Sequence, residues 1–175
     1  LSSYSHLDWI LDVLEHFSAN AKPDKSSFES LFSFVQAEAF RYKNRLSISQ
    51  IEVFNELCFE NNNKEATLHP SQHQLPTEME ANPFELLKDK KIGIYTLEEN
   101  AGNRAKRILE KEVKCNVTVN SDKYGTDRLE ELASNADLFV CAWKASKHAA
   151  TIFIEKFRST EDIIKPSGKG SSSII

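Results

Sequence analysis

The chain of 175 residues is 40% hydrophobic and 27% charged, an ordinary composition for soluble globular domains. Its formal net charge of -4 argues against a broad basic surface, so direct binding of nucleic acid is not expected. No apolar run approaches the ~20 residues that cross a bilayer and no signal-peptide pattern is present, which predicts a cytoplasmic protein with no membrane partner. The chain begins at Leu1 and residues 171–175 resemble the opening of a helix, so we expect it to be part of a longer protein.

The cysteines and two linker histidines do not form a metal or disulfide pattern. Cys58, Cys115 and Cys141 are far apart in sequence, which disfavours a disulfide framework and predicts buried small hydrophobic side chains. His69 and His73 are four residues apart, but the proline between them disfavours the helix that would bring both onto one metal ion. The sequence therefore predicts no metal site.

Residues 1–60 carry a 3.6-residue apolar period that predicts three amphipathic helices. Asp24 or Ser26 is expected to cap the second helix, and Ser49 with Glu52 has the spacing of a capping box for the third. The inward-facing positions are Leu7, Ile10, Leu11, Leu14, Phe17, Phe28, Leu31, Phe32, Val35, Ala39, Tyr42, Ile51, Phe54, Leu57 and Cys58.

Phenylalanine is unusually frequent in these helices, and two interpretations stay open. The rings either form a helical core or make an exposed surface for self-association or a protein partner. Under the second interpretation, polar substitution at positions such as Phe32 or Phe54 is expected to break the complex.

Residues 61–83 lose all periodicity and predict a linker between a helical region, 1–60, and a second domain, 84–175. Asn82 and Pro83 have the pattern of a helix cap and first helical residue.

The second domain alternates strand and helix patterns. Strands are predicted at 91–96, 116–120, 137–142 and 163–164, with helices at 100–113, from Thr126 and at 148–157. Repeated strand, helix and parallel strand predict an α/β, Rossmann-like parallel sheet of the flavodoxin-like order 2-1-3-4. In such a sheet a ligand binds beyond the carboxyl ends of the strands, where the order reverses between the first and third strands.

Four polar loops follow the four strands and supply the predicted ligand contacts. The expected ligand-binding residues are Thr96, Asn100, Trp143, Ser146, Lys147, His148, Gly168, Lys169, Gly170, Ser171 and Ser172. Trp143 and Tyr124 are expected to stack on a base.

The fourth loop is the best candidate for an anion site. Gly168 and Gly170 permit unusual backbone conformations, and Lys169 with the following serines adds charge and donors at a helix start. The competing interpretation is a flexible tail rich in glycine and serine.

His148 opens a helix directly after the third strand. The positive helix end disfavours its protonation, so it suits a ligand contact or a general base, or else a structural role within the loop. An enzyme would use His148 as base with Asp122 or Glu99 as acid or nucleophile. No complete catalytic arrangement is recognisable, so the sequence leans away from an enzyme.

Four segments, 124–129 (YGTDRL), 135–140 (NADLFV), 146–150 (SKHAA) and 168–173 (GKGSSS), resemble in order and spacing a bacterial family of small Rossmann-like domains of unknown function. The family is marked by an A-D-x-x-V strand, an S-x-H-x-A helix start and a terminal G-x-S-S-x-L segment. The resemblance points to Ser146, His148, Gly168 and Ser172 as candidate site residues. It also implies membership of a larger bacterial protein, including phage-defence components.

These observations lead to one main hypothesis and two alternatives. The main one is a ligand-sensing or interaction module that binds a nucleotide or another phosphorylated small molecule at the strand ends, so that a nucleotide is the expected cofactor. The alternatives are a nucleotide or nucleoside hydrolase or transferase, and a purely structural assembly subunit.

Overall fold

The computed structural model describes residues 6–20, 24–70 and 83–175. The chain divides into two compact units, Leu1–Ala81 and Asn82–Ile175. Within the described ranges, every helix is too short or too polar to span a bilayer.

The first unit is built on three helices, as predicted: α1 (Leu7–Ala19), α2 (Lys25–Arg41) and α3 (Ile48–Glu60). Helix α1 packs against both α2 and α3. The core contains most of the residues that the apolar period places inside: Leu7, Ile10, Leu11, Leu14, Phe28, Phe32, Val35, Ala39, Ile51, Phe54, Leu57 and Cys58.

Local side-chain hydrogen bonds determine where two of these helices begin. The Asp24 carboxylate accepts from the Ser27 backbone at 2.8 Å and caps α2, while the Ser26 hydroxyl donates to Asp24. The expected capping box at Ser49 is wrong, because Ser47 and Gln50 form it, at 3.1 and 2.8 Å. The pairs Ser47 with Gln50 and Ser49 with Glu52 both have the spacing of a capping box, and a tertiary contact of Gln50 favours the first pair.

That contact joins α1 to α3. The Gln50 side-chain amide donates to Asp8 of α1 at 2.7 Å while its oxygen accepts from the Ser47 backbone. Gln50 is buried, so both ends of its amide need a partner. Starting α3 at Ile48 satisfies both.

Residues 61–70, which the sequence places in the linker, pack on α3 instead. Leu68 is buried, and its backbone N–H and C=O both bond to the Asn55 side chain, at 2.8 and 2.9 Å. A paired, buried backbone belongs to the folded unit rather than to a linker. Residues 71–82 of the predicted linker, which include His73 and the predicted cap Asn82, lie outside the described residues. The described chain resumes at Pro83, and Pro83–Leu87 forms a 3-10 helix.

The second unit confirms the predicted mixed α/β fold with four parallel strands. The strands are β1 (Lys91–Tyr95), β2 (Asn116–Asn120), β3 (Leu138–Cys141) and β4 (Ile163–Ile164), and their order across the sheet is β2-β1-β3-β4. The helices are α4 (Glu99–Glu112), α5 (Asp127–Asn135), α6 (His148–Ile154) and α7 (Ser171–Ile174). Helix α5 is capped by the Thr126 hydroxyl, as predicted.

The sheet has an apolar core on each face. On one face Ile92, Ile94 and Val117 pack with residues of α4 and α7, and on the other Tyr95 and Phe139 pack with α5 and α6. Among the described residues, strand β2 lies at an edge of the sheet and pairs with β1 alone. Apolar and polar residues alternate along β2. Val117 and Val119 therefore face α4, while Asn116, Thr118 and Asn120 face the α5 side.

Two of the three cysteines behave as buried hydrophobic residues, as predicted. Burial raises the pKa of the Cys58 thiol to about 12 and that of Cys141 to about 11. Thiols held protonated in this way are poor nucleophiles. Cys115 is only half-buried and donates to the Leu109 carbonyl.

Candidate ligand site at the strand ends

Tyr95 joins two of the loops at the carboxyl edge of the sheet. Its side chain is fully buried, and its hydroxyl donates to the Asp122 carbonyl at 3.0 Å. Burial raises the pKa of Tyr95, and a hydrogen bond from the Lys147 backbone partly opposes this. One hydroxyl therefore ties the β2 loop to the β3 loop. Tyr95 was not among the predicted site residues, although a tyrosine as the last residue of a central strand was the available signal in the sequence.

The Asp122 side chain holds the β2 loop together. Its Oδ2 accepts from the Thr126 hydroxyl at 2.5 Å and from the Asn120 amide at 2.8 Å, and its backbone N–H donates to Asn120 Oδ1 at 2.9 Å. The hydrogen bond from Thr126, followed by that from Asn120, holds the pKa of Asp122 below its ordinary value of 3.8. Asp122, which the sequence offers as acid or nucleophile of an enzyme, thus makes these hydrogen bonds within its own loop.

The β3 loop places Trp143 beside the β4 loop. The Trp143 indole is 50% exposed, and its Nε1 donates to the Pro166 carbonyl at 3.1 Å. The Lys144 ammonium lies 5.5 Å from the ring centroid. This hydrogen bond holds the Trp143 ring beside Pro166, which lies two residues before Gly168 in the chain.

The other β3-loop candidates are less well placed for a ligand. The Ser146 hydroxyl donates to the Trp143 carbonyl at 2.7 Å and accepts from Thr151 at 3.3 Å, so it serves the local turn. Lys147 and His148 are exposed. In the described part of the chain no hydrogen bond orients the His148 ring, whereas a general base is normally held by one.

The β1 loop supplies less than the sequence predicts. Thr96 is fully buried, and its hydroxyl accepts from the Glu98 backbone at 3.2 Å. The Leu97 N–H donates to the Ala145 carbonyl at 2.7 Å, which bridges the β1 and β3 loops where the crevice was expected. Asn100 is exposed on the first turn of α4.

The β4 loop keeps its donors but not the predicted backbone geometry. Among the described glycines none has a positive φ, and Gly170 has φ -81°, so Gly168 and Gly170 do not use the conformations expected of them. Lys169 Nζ lies 3.6 Å from a Glu98 carboxylate oxygen, both side chains being partly exposed. Ser171 is fully buried, and the Ser172 hydroxyl is buried with no hydrogen-bond partner in the described structure.

The structure thus brings the β1, β3 and β4 loops together through the Trp143–Pro166 hydrogen bond, the Leu97–Ala145 hydrogen bond and the Lys169–Glu98 ion pair. Trp143, Lys169 and Ser172 remain candidates for ligand contacts. The hydroxyls of Thr96 and Ser146 instead make hydrogen bonds within their own loops. Tyr124 is 68% exposed on the β2 loop, and no contact places it beside Trp143.

A groove that the sequence did not predict runs along β2. Its volume is about 970 Å³. It is lined by Lys91, Ile92, Glu99, Asn103, Asn116, Thr118, Val119, Asn120, Ser121, Asp122, Arg128, Glu131, Leu132, Asn135 and Ala136. The signal in the sequence was the alternation N-V-T-V-N in β2, which gives one polar face to a strand of a sheet that normally buries both faces.

Fold and loops define an α/β unit with a four-stranded parallel sheet and polar loops at its strand ends, and a three-helix unit precedes it in the chain. The chain belongs to the DpdD-like family, whose model matches residues 1–175. This agrees with the bacterial family of unknown function expected from the sequence, but it does not test the four quoted segments individually. No curated protein and no solved structure matched the chain.

Proposed function

We propose that the α/β unit is a ligand-binding module of a DpdD-like protein, and that it takes a nucleotide or another phosphorylated small molecule at the carboxyl ends of the strands. The family name points to a DNA-modification or defence-related context, in which a module that senses such a ligand has a clear use. Catalysis is not part of the proposal.

The hydrogen bond from Trp143 Nε1 to the Pro166 carbonyl is the observation that carries the proposal. It holds a half-exposed indole next to the loop that contains Lys169 and leads into α7, whose first turn carries Ser172. A base needs an aromatic face and a phosphate needs cationic and hydroxyl donors, so the two requirements meet in neighbouring loops. The unpartnered Ser172 hydroxyl is a donor that a ligand oxygen would satisfy.

The Lys169–Glu98 ion pair sets the charge of this site. A phosphate that binds Lys169 must draw the ammonium away from Glu98, whose carboxylate also repels the ligand. The pair is partly exposed and therefore weak, so a phosphate with two charges competes well for the lysine.

A thermal-shift screen with nucleotides, nucleosides and inorganic phosphate tests the proposal. A ligand at 100 times its Kd adds about 2.7 kcal/mol to the free energy of unfolding. Absence of stabilisation by every compound would refute binding of this class.

Substitutions then locate the bound ligand. Lys169→Ala is expected to weaken it by about 10- to 100-fold, because a charge-assisted hydrogen bond contributes about 1.5 to 3 kcal/mol. Glu98→Gln is expected to tighten it, because the lysine is released and a repulsive charge removed. Lys123→Ala, an exposed lysine of the β2 loop, is the matched control and should leave Kd unchanged. Equal affinity of wild type and Lys169→Ala would contradict the assigned site.

The helical unit favours a second candidate function, assembly with a protein partner or with a second copy. Trp9, Phe34, Phe40 and Phe59 are 43–55% exposed, which is unusual for large aromatic side chains. Phe32 and Phe54 are buried in the core, so the substitutions expected from the sequence to break a complex would unfold the unit instead. Sedimentation of wild type and of Phe34→Ser with Phe59→Ser tests assembly, and identical monomeric behaviour of both would argue against self-association.

A further inference from the structure

The outer edge of β2 presents backbone groups that no strand pairs within residues 6–20, 24–70 and 83–175. The Asn116 N–H donates to the Lys90 carbonyl and the Asn120 carbonyl accepts from Thr96, so these residues face β1. Because the direction alternates along a strand, Val117 and Val119 turn their N–H and C=O groups to the open edge. The Glu110 carboxylate accepts from the Val117 N–H at 3.1 Å. The Val117 carbonyl and both groups of Val119 are left facing outward.

The groove lies along this edge and has polar walls. Glu99 and Asn103 of α4 contribute one wall, and Arg128, Glu131 and Asn135 of α5 contribute the other. The exposed Thr118 lies on its floor.

A buried hydroxyl marks one end of the groove. Ser121 directly follows β2, and its Oγ is buried with no hydrogen-bond partner in the described residues. A buried polar atom without a hydrogen-bond partner destabilises the fold. A bound molecule that reaches this end of the groove can supply the partner.

We propose that this groove takes an extended peptide segment of a partner protein, which pairs with β2 as a fifth strand of the sheet. The outward groups of β2 recur every two residues, about 6.6 Å apart, which is also the repeat of an extended peptide backbone. Alternate peptide side chains then lie toward Thr118 on one face and toward Asn103 on the other. The proposal is independent of the nucleotide site, which uses the opposite part of the loop edge.

The charges of the groove indicate the direction and composition of the segment. Glu99 lies at the carboxyl end of β2, where the charge of Asp122 is offset by Arg128, and Lys91 lies at its amino end beside Asn116. A basic side chain at the Glu99 end and an acidic one at the Lys91 end complement this arrangement. The Glu110 carboxylate blocks pairing at Val117 N–H, which limits pairing to the second half of the strand and restricts indiscriminate edge-to-edge association.

A displayed library of peptides of about ten residues, selected on the full chain, tests the proposal. The Kd of a selected peptide is measured by calorimetry for wild type, Thr118→Arg and Thr160→Arg. Thr118 is exposed, so arginine there should leave the fold intact while it fills the groove and repels a basic side chain. Thr160 is exposed just before the other edge strand, β4, and provides a matched control.

Selected peptides are expected to bind wild type and the Thr160→Arg variant equally and to bind Thr118→Arg at least about tenfold more weakly. Amide exchange at Val119 should slow on binding, because a fifth strand bonds that N–H. Lys169→Ala should leave peptide affinity unchanged. Failure to enrich any peptide on wild type over Thr118→Arg, or binding without protection of Val119, would overturn the proposal, as would a groove occupied only by a small molecule.

Discussion

Arg158 is expected to stabilise the amino edge of the sheet through its guanidinium group. This group donates to four backbone carbonyls: those of Ala133 and Ala136 at 3.1 and 2.7 Å, that of Asp137 at 3.2 Å and that of Asp162 at 3.1 Å. One side chain thereby joins the end of α5 to the segments that lead into β3 and β4. Arg158→Ala removes all four bonds.

The cost depends on which carbonyls water can reach after the substitution. The bonds to Asp137 and Asp162 are exposed, so water replaces them at little cost. The bonds to Ala133 and Ala136 are partly buried, and each charge-assisted bond contributes about 1.5 kcal/mol at the low end of the usual range. We therefore expect Arg158→Ala to lower the free energy of unfolding by about 3 kcal/mol, a large share of the 5 to 15 kcal/mol typical of a domain.

Urea denaturation followed by tryptophan fluorescence measures this loss. The chain has two tryptophans, one in each unit, so a Trp9→Phe background leaves Trp143 to report on the α/β unit. The midpoint should fall by roughly 1 to 2 M urea. Arg158→Lys should recover only part of the loss, because one ammonium cannot reach carbonyls on three sides. A loss below about 1 kcal/mol for Arg158→Ala, or one no larger than that of the exposed control Lys123→Ala, would refute the reasoning.

Three further substitutions test local features of the fold. Ser47→Ala should destabilise the helical unit by about 1 kcal/mol through loss of the capping box, measured as a lower urea midpoint of Trp9 fluorescence, and an unchanged midpoint would contradict the cap. Gly125→Ala should cost about 1 to 3 kcal/mol, because the new methyl group would overlap the Phe153 ring, and calorimetric melting at the wild-type temperature would show that the ring moves freely. Asp122 has a lowered pKa, so its ionised form stabilises the fold above the unfolded value of 3.8 and that contribution is lost as pH falls below it. The stability difference between wild type and Asp122→Asn should therefore shrink from about pH 6 to about pH 3, and a constant difference would contradict this role.

Local sequence was sufficient to predict the elements of both units. The 3.6-residue period determined the three helices because each has to bury one apolar face, and Leu14 or Phe54 could take no other place. The alternation of short apolar strands with helices likewise predicted four parallel strands, because parallel strands require crossover helices. Asp24 and Thr126 were recognisable as caps because a cap acts within three residues of its own position.

The candidate site was predictable only in outline. Its expected position at the carboxyl ends of the strands follows from topology, and Trp143 and Lys169 lie in loops there, while Ser172 lies on the first turn of α7. Which loop residues are available depends on contacts between segments far apart in sequence. Burial removes Thr96 from contact with a ligand. Lys169 forms an ion pair with Glu98, which belongs to a loop far away in the sequence.

Tertiary structure alone decided three features that no local sequence pattern determines. Whether Ser47 or Ser49 caps α3 was settled by Asp8 on another helix, since the buried Gln50 amide must be satisfied at both ends. Tyr95 became the link between two loops because its hydroxyl is buried where both backbones converge. The groove exists because β2 lies at the edge of the sheet between α4 and α5, and a residue's neighbours across a sheet are set by strand order rather than by sequence separation.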